Sequence, residues 1–331
     1  LDQDAIIFVG QKQPAVPAGL FIQRVVEMTD LGAAQEHALE IAGEESIALE
    51  LNKFLIPPAT LPLIQRLRRE SPKVSDYCTS APGIVTAAND FFILTDARAK
   101  ELQLLELTLP ILKKGSFASR LPIFSASDFA AIAEREPCRF LRLKGNRSEF
   151  PAEVEAYLLA GEERGFHKRY KCRNREKWYE VPLVPRADGF VFKRSHEYPR
   201  ICLNAADVYI TDTAYGLKVR EGYSMRGICF SFYNSLTLLF SEMEGRFYGG
   251  GVLELSPNEF RALPLIYHEP NDAEFEAFLA AHSGATGISS ILEFGDRWLG
   301  EKLALGETEL RSLREAWSSV RSHRLRHGKP T

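Results

Sequence analysis

Short apolar segments separated by turn residues run along the whole chain, and their spacing predicts both strands and helices. Residues 5–10 and 20–28 are predicted strands joined by a proline-rich loop. Residues 33–49 mix helix formers with acids, which favours an exposed helix or a loose linker. Residues 61–70 place apolar side chains at helical spacing behind a proline. The N-terminal quarter therefore already combines both kinds of element, as in a mixed α/β (α+β) fold.

The middle of the chain alternates between short strands and helices. Residues 99–115 predict a helix or a strand, and residues 121–136 predict a strand and then a helix with Ser127 as its N-cap. A further helix is predicted over 150–165, with Pro151 in its first turn. Short β-rich runs then follow between Pro, Asp and Gly residues: WYEVPL, GFVFKR, PRICLN and DVYITDTAYGLKV.

The last third of the chain is mainly helical by the same criteria. Residues 224–244 are densely apolar over a length that favours one buried helix, and 245–265 predict a glycine turn, a strand and a short helix opened by Ser256. Residues 272–318 have the pattern of amphipathic helices. The end, residues 321–331, is basic and is predicted to be frayed.

Composition narrows the class of protein. The 331 residues are 45% hydrophobic and 26% charged, which is ordinary for soluble globular proteins and suggests roughly two domains. No apolar run reaches the ~20 residues that span a bilayer, and no secretory signal precedes the first strand, so we expect a cytoplasmic protein without a membrane partner. The chain enters an apolar strand straight after Leu1, from which we expect further sequence upstream.

Motifs for catalysis and metal binding are absent from the sequence. There is no GxSxG, HExxH, P-loop or GxGxxG pattern, and the seven histidines form no i, i+4 pair. The five cysteines contain no CxxC pair, so neither a disulfide framework nor a zinc site is indicated. The run 249–251 predicts a tight turn rather than a phosphate cradle. This fragment alone is therefore not expected to be catalytic.

A concentrated positive charge is the strongest binding signal. Residues 164–177 read RGFHKRYKCRNREK, with one acid among seven Lys and Arg residues, in a chain whose net charge is only −3. Cations here could contact phosphates and aromatics could stack on bases. The alternatives are a solvated loop and aromatic residues that begin a core strand. We expect one aromatic of the pair to face the core while the basic residues line a cleft. The candidates are Lys168, Arg169, Lys171, Arg173, Arg175, Lys177, Trp178 and Tyr179.

Two further segments have polar residues between apolar flanks. In GIVTAANDFFILT (83–95) the polar break predicts a loop that something approaches closely, with GIV and FFIL as scaffold. In DVYITDTAYGLKV (207–219) strand alternation predicts Thr211, Thr213 and Tyr215 on one exposed face with Tyr209, suited to phosphate or base-edge contacts. A half-buried strand with a threonine-rich outer face is the alternative.

Four ordered blocks resemble one family. The blocks are GIVTAANDFFILT, CRNREKWYEVP, NAADVYITDTAYGLKV and FYNSLTLLFSEMEGRFYGGGVLELSPNEFRALPL. Together they resemble the gamma-class N6-adenine DNA methyltransferases of type II restriction–modification systems over residues 5–266. The family combines a Rossmann-like domain that binds S-adenosylmethionine with a C-terminal target-recognition domain. It often has Gly where this chain has Ala87.

The resemblance implies an organisation in three parts. Residues 1–75 would be the end of the Rossmann-like catalytic sheet and a linker, residues 76–270 a mixed α/β target-recognition domain, and residues 271–331 a helical segment with a basic tail. The cofactor glycine motif is missing. So is the Asn/Asp-Pro-Pro-Tyr/Phe tetrad, because Pro57-Pro58 has neither partner. The implied cofactor, S-adenosylmethionine, would therefore bind the parent enzyme and not this chain.

The resemblance also implies a function. The chain would recognise double-stranded DNA for an adenine-specific methyltransferase whose catalytic domain lies upstream or acts in trans. Thr86, Asn89 and Asp90 would face the DNA, where Asn suits adenine and an acid suits the cytosine amino group. The alternative is a protein-interaction or structural module with the same fold and no DNA function.

Overall fold

The computed structural model describes residues 19–22, 37–40, 55–118, 121–283 and 287–326. Within these ranges the strands are β1 (Gly19–Ile22), β2 (His37–Glu40), β3 (Cys78–Pro82), β4 (Ile93–Leu94), β5 (Thr108–Leu112), β6 (Ile123–Phe124), β7 (Arg139–Leu141), β8 (Gly189–Phe192), β9 (Arg194–Ser195), β10 (Ile201–Asn204), β11 (Tyr209–Ile210), β12 (Ala214–Val219), β13 (Arg246–Tyr248) and β14 (Val252–Glu254). The helices are α1 (Leu61–Glu70), α2 (Val74–Tyr77), α3 (Asn89–Phe92), α4 (Asp96–Glu101), α5 (Ala126–Ala133), α6 (Ala152–Glu163), α7 (Tyr170–Arg173), α8 (Met225–Phe232), α9 (Ser235–Glu244), α10 (Pro257–Ala262), α11 (Asp272–Ser283), α12 (Ile288–Leu303) and α13 (Glu307–Arg326). The predicted mixed α/β class is confirmed.

The described N-terminal residues form a two-stranded antiparallel sheet, in which Gly19 lies opposite Glu40. The predicted helix or linker over 33–49 is therefore wrong at residues 37–40, because pairing with β1 satisfies the backbone of β2 and overrides local helix propensity. The strand predicted for residues 5–10, and most of the implied end of a Rossmann-like sheet, lie outside the described residues.

Three larger sheets organise the rest. The five-stranded sheet has the order β3-β12-β8-β10-β6 and is antiparallel except for the last pair. The four-stranded sheet has the order β11-β5-β7-β4, and the three-stranded sheet the order β13-β14-β9. Since β8 and β9 are separated only by Lys193, the five-stranded and three-stranded sheets meet at that residue.

The hydrophobic side chains form three clusters. The largest packs α1, α8, α9 and α11 to α13 against one face of the five-stranded sheet. A second cluster packs the aromatic residues of α3 against the four-stranded sheet and α6. A third lies between the five-stranded and four-stranded sheets and includes Phe124, Phe190 and Ile210. The largest cluster joins residues before position 76 to residues after position 270, and the domain boundaries at these positions stay a prediction.

Hydrogen-bonding side chains set the helix boundaries, and two of them differ from expectation. The single helix predicted over 224–244 is two helices, because Asn234 caps α9 by accepting from the Thr237 amide at 2.9 Å and donates to the Ser231 carbonyl at 2.9 Å. Helix α5 is capped by Ser125 instead of the predicted Ser127, and the cap is reciprocated by the side chain at its third position. The short helix opened by Ser256 is confirmed.

Two further expectations fail for physical reasons. Residues 178–183 form no strand, because Pro182 and Pro185 lack the amide donors that a ladder needs. The basic end is not frayed over residues 321–326, because α13 continues to Arg326 and the Arg324 side chain is buried against Glu242. Residues 327–331 lie outside the described residues.

Candidate nucleic-acid interface

The polar break after Val85 forms a compact loop held by its own side chains. Thr86 is buried, and its hydroxyl accepts from the Ala88 amide at 3.2 Å and donates to the Asn89 amide oxygen. Ala87 has φ 65°, the left-handed region that favours glycine. Asn89 begins α3 and is half-buried, and Asp90 is exposed in its first turn. The loop is therefore shorter than predicted, because its last two polar residues are helical.

The apolar flanks of this loop are buried, as predicted for a scaffold. Ile84 is fully buried on one side, and Phe91, Phe92, Ile93 and Leu94 are buried on the other. Phe91 stacks on Tyr157 of α6 with ring centroids 4.6 Å apart. The loop is thus presented by a rigid base.

Arg175 holds the loop from beneath. Its Nη2 donates to the carbonyls of Val85 at 2.9 Å and Thr86 at 3.0 Å, and its Nη1 donates to the Trp178 carbonyl at 3.4 Å. The guanidinium also lies over the Phe92 ring, and burial lowers the pKa of Arg175. Its observed contacts are with the chain itself, so the structure places this candidate as a support of the loop.

Four cations on the neighbouring segment are exposed: Lys168, Arg169, Lys171 and Arg173. Among the residues that the structure describes, no carboxylate forms an ion pair with any of the four. Arg169 lies over the Phe166 ring and approaches the Ala87 carbonyl at 3.4 Å, which joins this segment to the loop. Within the described ranges, these four positive charges are therefore left without a paired carboxylate.

The exposed aromatic of this segment is Tyr170, which is 70% exposed and lies under the Arg173 guanidinium. The predicted stacking residues are placed otherwise. Tyr179 is buried and its hydroxyl donates to the Gly145 carbonyl, while Trp178 is half-buried and donates to a Glu162 oxygen at 3.0 Å. The expectation that one aromatic of the pair faces the core is confirmed by Tyr179, and its place among the stacking candidates is wrong for the same reason. Tyr170 is the exposed aromatic that is available for stacking in place of Tyr179. The sequence does indicate it, since Tyr170 lies between the cations Arg169 and Lys171.

Lys177 is less available than its neighbours. Its ammonium group donates to the Gly145 carbonyl at 3.1 Å and to the Asn146 side-chain oxygen at 3.0 Å. It fastens the segment to the loop before α6, which is a structural contact.

The third predicted segment, residues 207–219, lies near the same loop, but not all of its candidate side chains are exposed as predicted. Thr211 is buried and donates to the Lys113 carbonyl at 2.8 Å, while the exposed Thr213 approaches the same carbonyl at 3.3 Å. Tyr215 is buried in the largest cluster, and loss of hydration raises its pKa. The predicted common exposed face is wrong, because residues 211–213 form the turn between β11 and β12, where strand alternation stops.

Direct contacts bring these segments together. Ile84 pairs with Thr211 in a parallel bridge, and the Lys113 ammonium lies 4.0 Å from an Asp90 carboxylate oxygen. The loop, the basic segment and the Thr211–Thr213 turn therefore share one side of the molecule, although they are up to 127 positions apart in residues 86–213.

A cleft that the sequence analysis missed opens beside Thr213. Its volume is about 670 Å³. The polar residues that line it include Lys193, Arg194, His196 and Arg200, with Glu197 and Asp212 among them. In the sequence Lys193 and Arg194 simply follow the apolar run 189–192, so no local pattern predicted that they line a cleft.

The described residues contain neither a group of His, Cys, Asp or Glu side chains that could hold a metal ion nor a helix long and apolar enough to cross a membrane. All five cysteines are buried free thiols. Burial raises the pKa of Cys78 to about 12 and that of Cys202 to about 11, so both are protonated near neutral pH.

No curated protein matches this chain. Among solved structures it is similar to the type IIG restriction endonuclease BpuSI, at 12% identity and TM-score 0.49, covering 82% of this chain and 34% of that one. It is also similar to the type IIL restriction-modification enzyme MmeI in complex with DNA, at 13% identity and TM-score 0.39, covering 80% of this chain and 34% of that one. The chain thus spans about a third of the length of each enzyme.

A family model gives the decisive match. The model of the C-terminal domain of the type II methyltransferase M.Eco57I matches residues 50–299, well over half of the chain. This confirms the predicted resemblance to restriction–modification methyltransferases. The chain belongs to the family of C-terminal domains of type II methyltransferases typified by M.Eco57I.

Proposed function

We propose that this chain recognises a DNA sequence for an S-adenosylmethionine-dependent adenine-N6 methyltransferase of a restriction–modification system. The observation that carries the proposal is the exposed group of Lys168, Arg169, Lys171 and Arg173, which has no carboxylate partner among the described residues and adjoins the loop at Thr86. Membership of the methyltransferase family supports it.

The charge arrangement suits the DNA backbone. A cation that neutralises a phosphate releases a counterion, so affinity falls with salt in proportion to the number of phosphates contacted. Cations already paired with carboxylates would contribute much less. The exposed Tyr170 adds an aromatic face on which a displaced base or a sugar can pack.

The polar loop suits contacts with base edges. Asn89 can pair with adenine and Asp90 can accept from the cytosine amino group. Arg175 and Lys177 would fix the shape of this surface and Arg169 would join the loop to the backbone contacts. Contacts of this kind offset the few kcal/mol that extrusion of a target adenine costs.

Other parts of the parent enzyme complete this proposal. S-adenosylmethionine and the catalytic residues would belong to a methyltransferase domain upstream or in trans. Residues 76–270 would be the target-recognition domain, and the protein would act in the cytoplasm, where its DNA substrate lies.

The test is DNA binding measured by fluorescence anisotropy across a salt series, for the chain alone and joined to its catalytic domain. The triple variant Lys168→Ala, Lys171→Ala, Arg173→Ala should bind more weakly. The negative slope of log affinity against log salt should become shallower by about 3. A matched triple changes the same charge elsewhere: Arg297→Ala, Lys302→Ala, Arg311→Ala, three exposed cations of α12 and α13.

The control triple should leave the slope unchanged. Absence of salt-dependent binding by the unaltered protein would overturn the proposal. Equal losses in the two triples would mean that binding follows net charge only, and the assignment of the phosphate contacts to residues 168–173 would then be wrong.

A further inference from the structure

Two arginines lie side by side on the three-stranded sheet. In the β13–β14 ladder Arg246 is opposite Glu254, and in the β14–β9 ladder Glu254 is opposite Arg194. Directly opposed residues point to the same face of a sheet, so the three side chains form one row across it. Arg194 and Arg246 are both well exposed, with 65% and 69% of their side chains accessible.

A carboxylate binds each guanidinium through its Nε atom only. The Nε of Arg194 lies 2.6 Å from Glu254, and the Nε of Arg246 lies 3.0 Å from Glu259. Glu259 is itself fixed, because its other oxygen accepts from the Ser256 amide at 2.6 Å in the cap of α10. The Nη1 and Nη2 groups of both arginines have no partner among the residues that the structure describes.

This arrangement leaves two parallel N–H donors on each arginine directed away from the carboxylate. Such a fork fits a phosphate or the O6 and N7 acceptors of guanine in the major groove. The two carboxylates, Glu254 and Glu259, favour a guanine edge over a phosphate as the ligand. Lys193 and Arg194 share Glu254, and Arg246 is paired with Glu259, so most of the positive charge that would attract a phosphate is already neutralised. An uncharged base edge binds through the N–H fork itself and loses less from this neutralisation than a phosphate does.

Glu254 stays ionised in this row. Burial would raise its pKa, but the hydrogen bond from Arg194 and the nearby Lys193 outweigh burial, and the pKa of Glu254 lies below its usual range. The hydrogen bond with Glu254 in turn raises the pKa of Arg194.

The shape of the element also suits a groove. Strands β13 and β14 form a hairpin ribbon at one edge of the three-stranded sheet, and its turn consists of three glycines, of which Gly250 and Gly251 have positive φ. The major groove of B-DNA admits a two-stranded β-ribbon. Phe247 and Tyr248 at the end of this ribbon are 41% and 48% exposed, and Arg194 also lines the cleft beside Thr213.

We propose that Arg194 and Arg246 are specificity-determining residues that each bind a guanine edge in the major groove, with Glu254 and Glu259 as the positioning residues that hold them. The proposal rests on the proposed function, that the chain recognises DNA. It divides the work between two surfaces: the unpaired cations at 168–173 contact phosphates, and the carboxylate-held arginines read bases.

Selection from a randomised duplex DNA library tests this division. Arg194→Lys and Arg246→Lys keep the charge and lose the fork, so each should lose about tenfold to a hundredfold preference for guanine at one position of the selected site. The slope of affinity against salt should stay unchanged. Arg66→Lys is the matched control, since Arg66 is also exposed and paired with a carboxylate, Glu309.

A variant of a positioning residue gives the opposite signature. Glu259→Gln should release Arg246 towards phosphates, which steepens the salt dependence while the guanine preference at that position falls. A merely structural glutamate would not change the salt slope in this direction.

The outcomes separate the two proposals. If the unaltered protein binds no duplex, the proposed function fails and this inference fails with it. If it binds and the lysine variants keep every base preference, only the inference is overturned. A uniform loss of affinity for all sequences with a reduced salt slope would identify phosphate contacts, and would also overturn it.

Discussion

The ion pair between Arg324 and Glu242 is buried, and loss of either partner should destabilise the protein strongly. The side chains are 2% and 1% exposed. The guanidinium uses every N–H donor: Nε and Nη2 bind the carboxylate at 2.7 and 2.6 Å, Nη1 binds the carbonyls of His196 and Gly251, and Nη2 also approaches the Glu197 carbonyl at 3.4 Å. Removal of either partner leaves the other as a buried charge that has lost its bidentate ion pair.

The expected magnitude follows from that burial. Arg324→Met and Glu242→Gln should each lower the free energy of unfolding by about 3–5 kcal/mol, because the remaining buried charge loses its ion-pair partner and cannot recover its hydration. In the double variant neither charge is left alone, so the loss should be less than the sum by about 2 kcal/mol or more. Urea denaturation followed by circular dichroism measures all four proteins of the cycle.

An exposed pair in the same protein provides the control. The same substitutions at Arg66 and Glu309, whose side chains are 44% and 39% exposed, should change stability by no more than about 1 kcal/mol. The reasoning would be refuted if the two cycles gave equal coupling energies, or if the buried single variants were as stable as the unaltered protein.

Three further predictions concern single positions. Ala87→Gly should raise the urea midpoint, because relief of about 1–2 kcal/mol of left-handed strain exceeds the entropic cost of glycine, about 0.5–1 kcal/mol; a lower midpoint would contradict the assigned φ of 65°. Gly295→Ala should destabilise by about 1–3 kcal/mol although Ala favours helices, because its β-carbon would overlap the Tyr233 carbonyl; a more thermostable variant would exclude that overlap. Burial lowers the pKa of His282 from 6.5 to about 4. Between those pH values the unfolded chain binds a proton that the folded one does not, so up to about 3 kcal/mol of stability should be lost as pH falls, and His282→Phe should flatten that dependence in pH-resolved denaturation.

Local patterns predicted the parts of the fold that local physics controls. The buried flanks of the loop at Thr86 follow from dense apolar runs, and the helix opened by Ser256 follows from its reciprocal cap. The basic segment was evident from charge alone, and it contains the exposed cations on which the proposed function rests.

Long-range contacts account for what the sequence did not reveal. Arg324 lies in a basic run that resembles a frayed tail, and only a carboxylate 82 positions away makes its burial possible. Thr211 and Tyr215 match an alternating strand, but the turn between β11 and β12 interrupts it. The row from Arg194 to Arg246 exists only because β14 pairs with both β9 and β13. Such pairings depend on ladder register, which residue types alone do not encode.

In the β13–β14 hairpin, the number of residues in the glycine turn at 249–251 matters as much to the contacts of the strands as the identity of those residues. The turn sets which residues of β13 oppose β14, and at present Arg246 shares a face with Glu254 while Phe247 opposes the buried Leu253. Loss or gain of one residue there would move every side chain of β13 to the opposite face. Substitutions at the exposed positions of this ribbon can therefore change what it contacts, whereas a single-codon insertion or deletion would exchange the arginine for the phenylalanine on the face of Glu254.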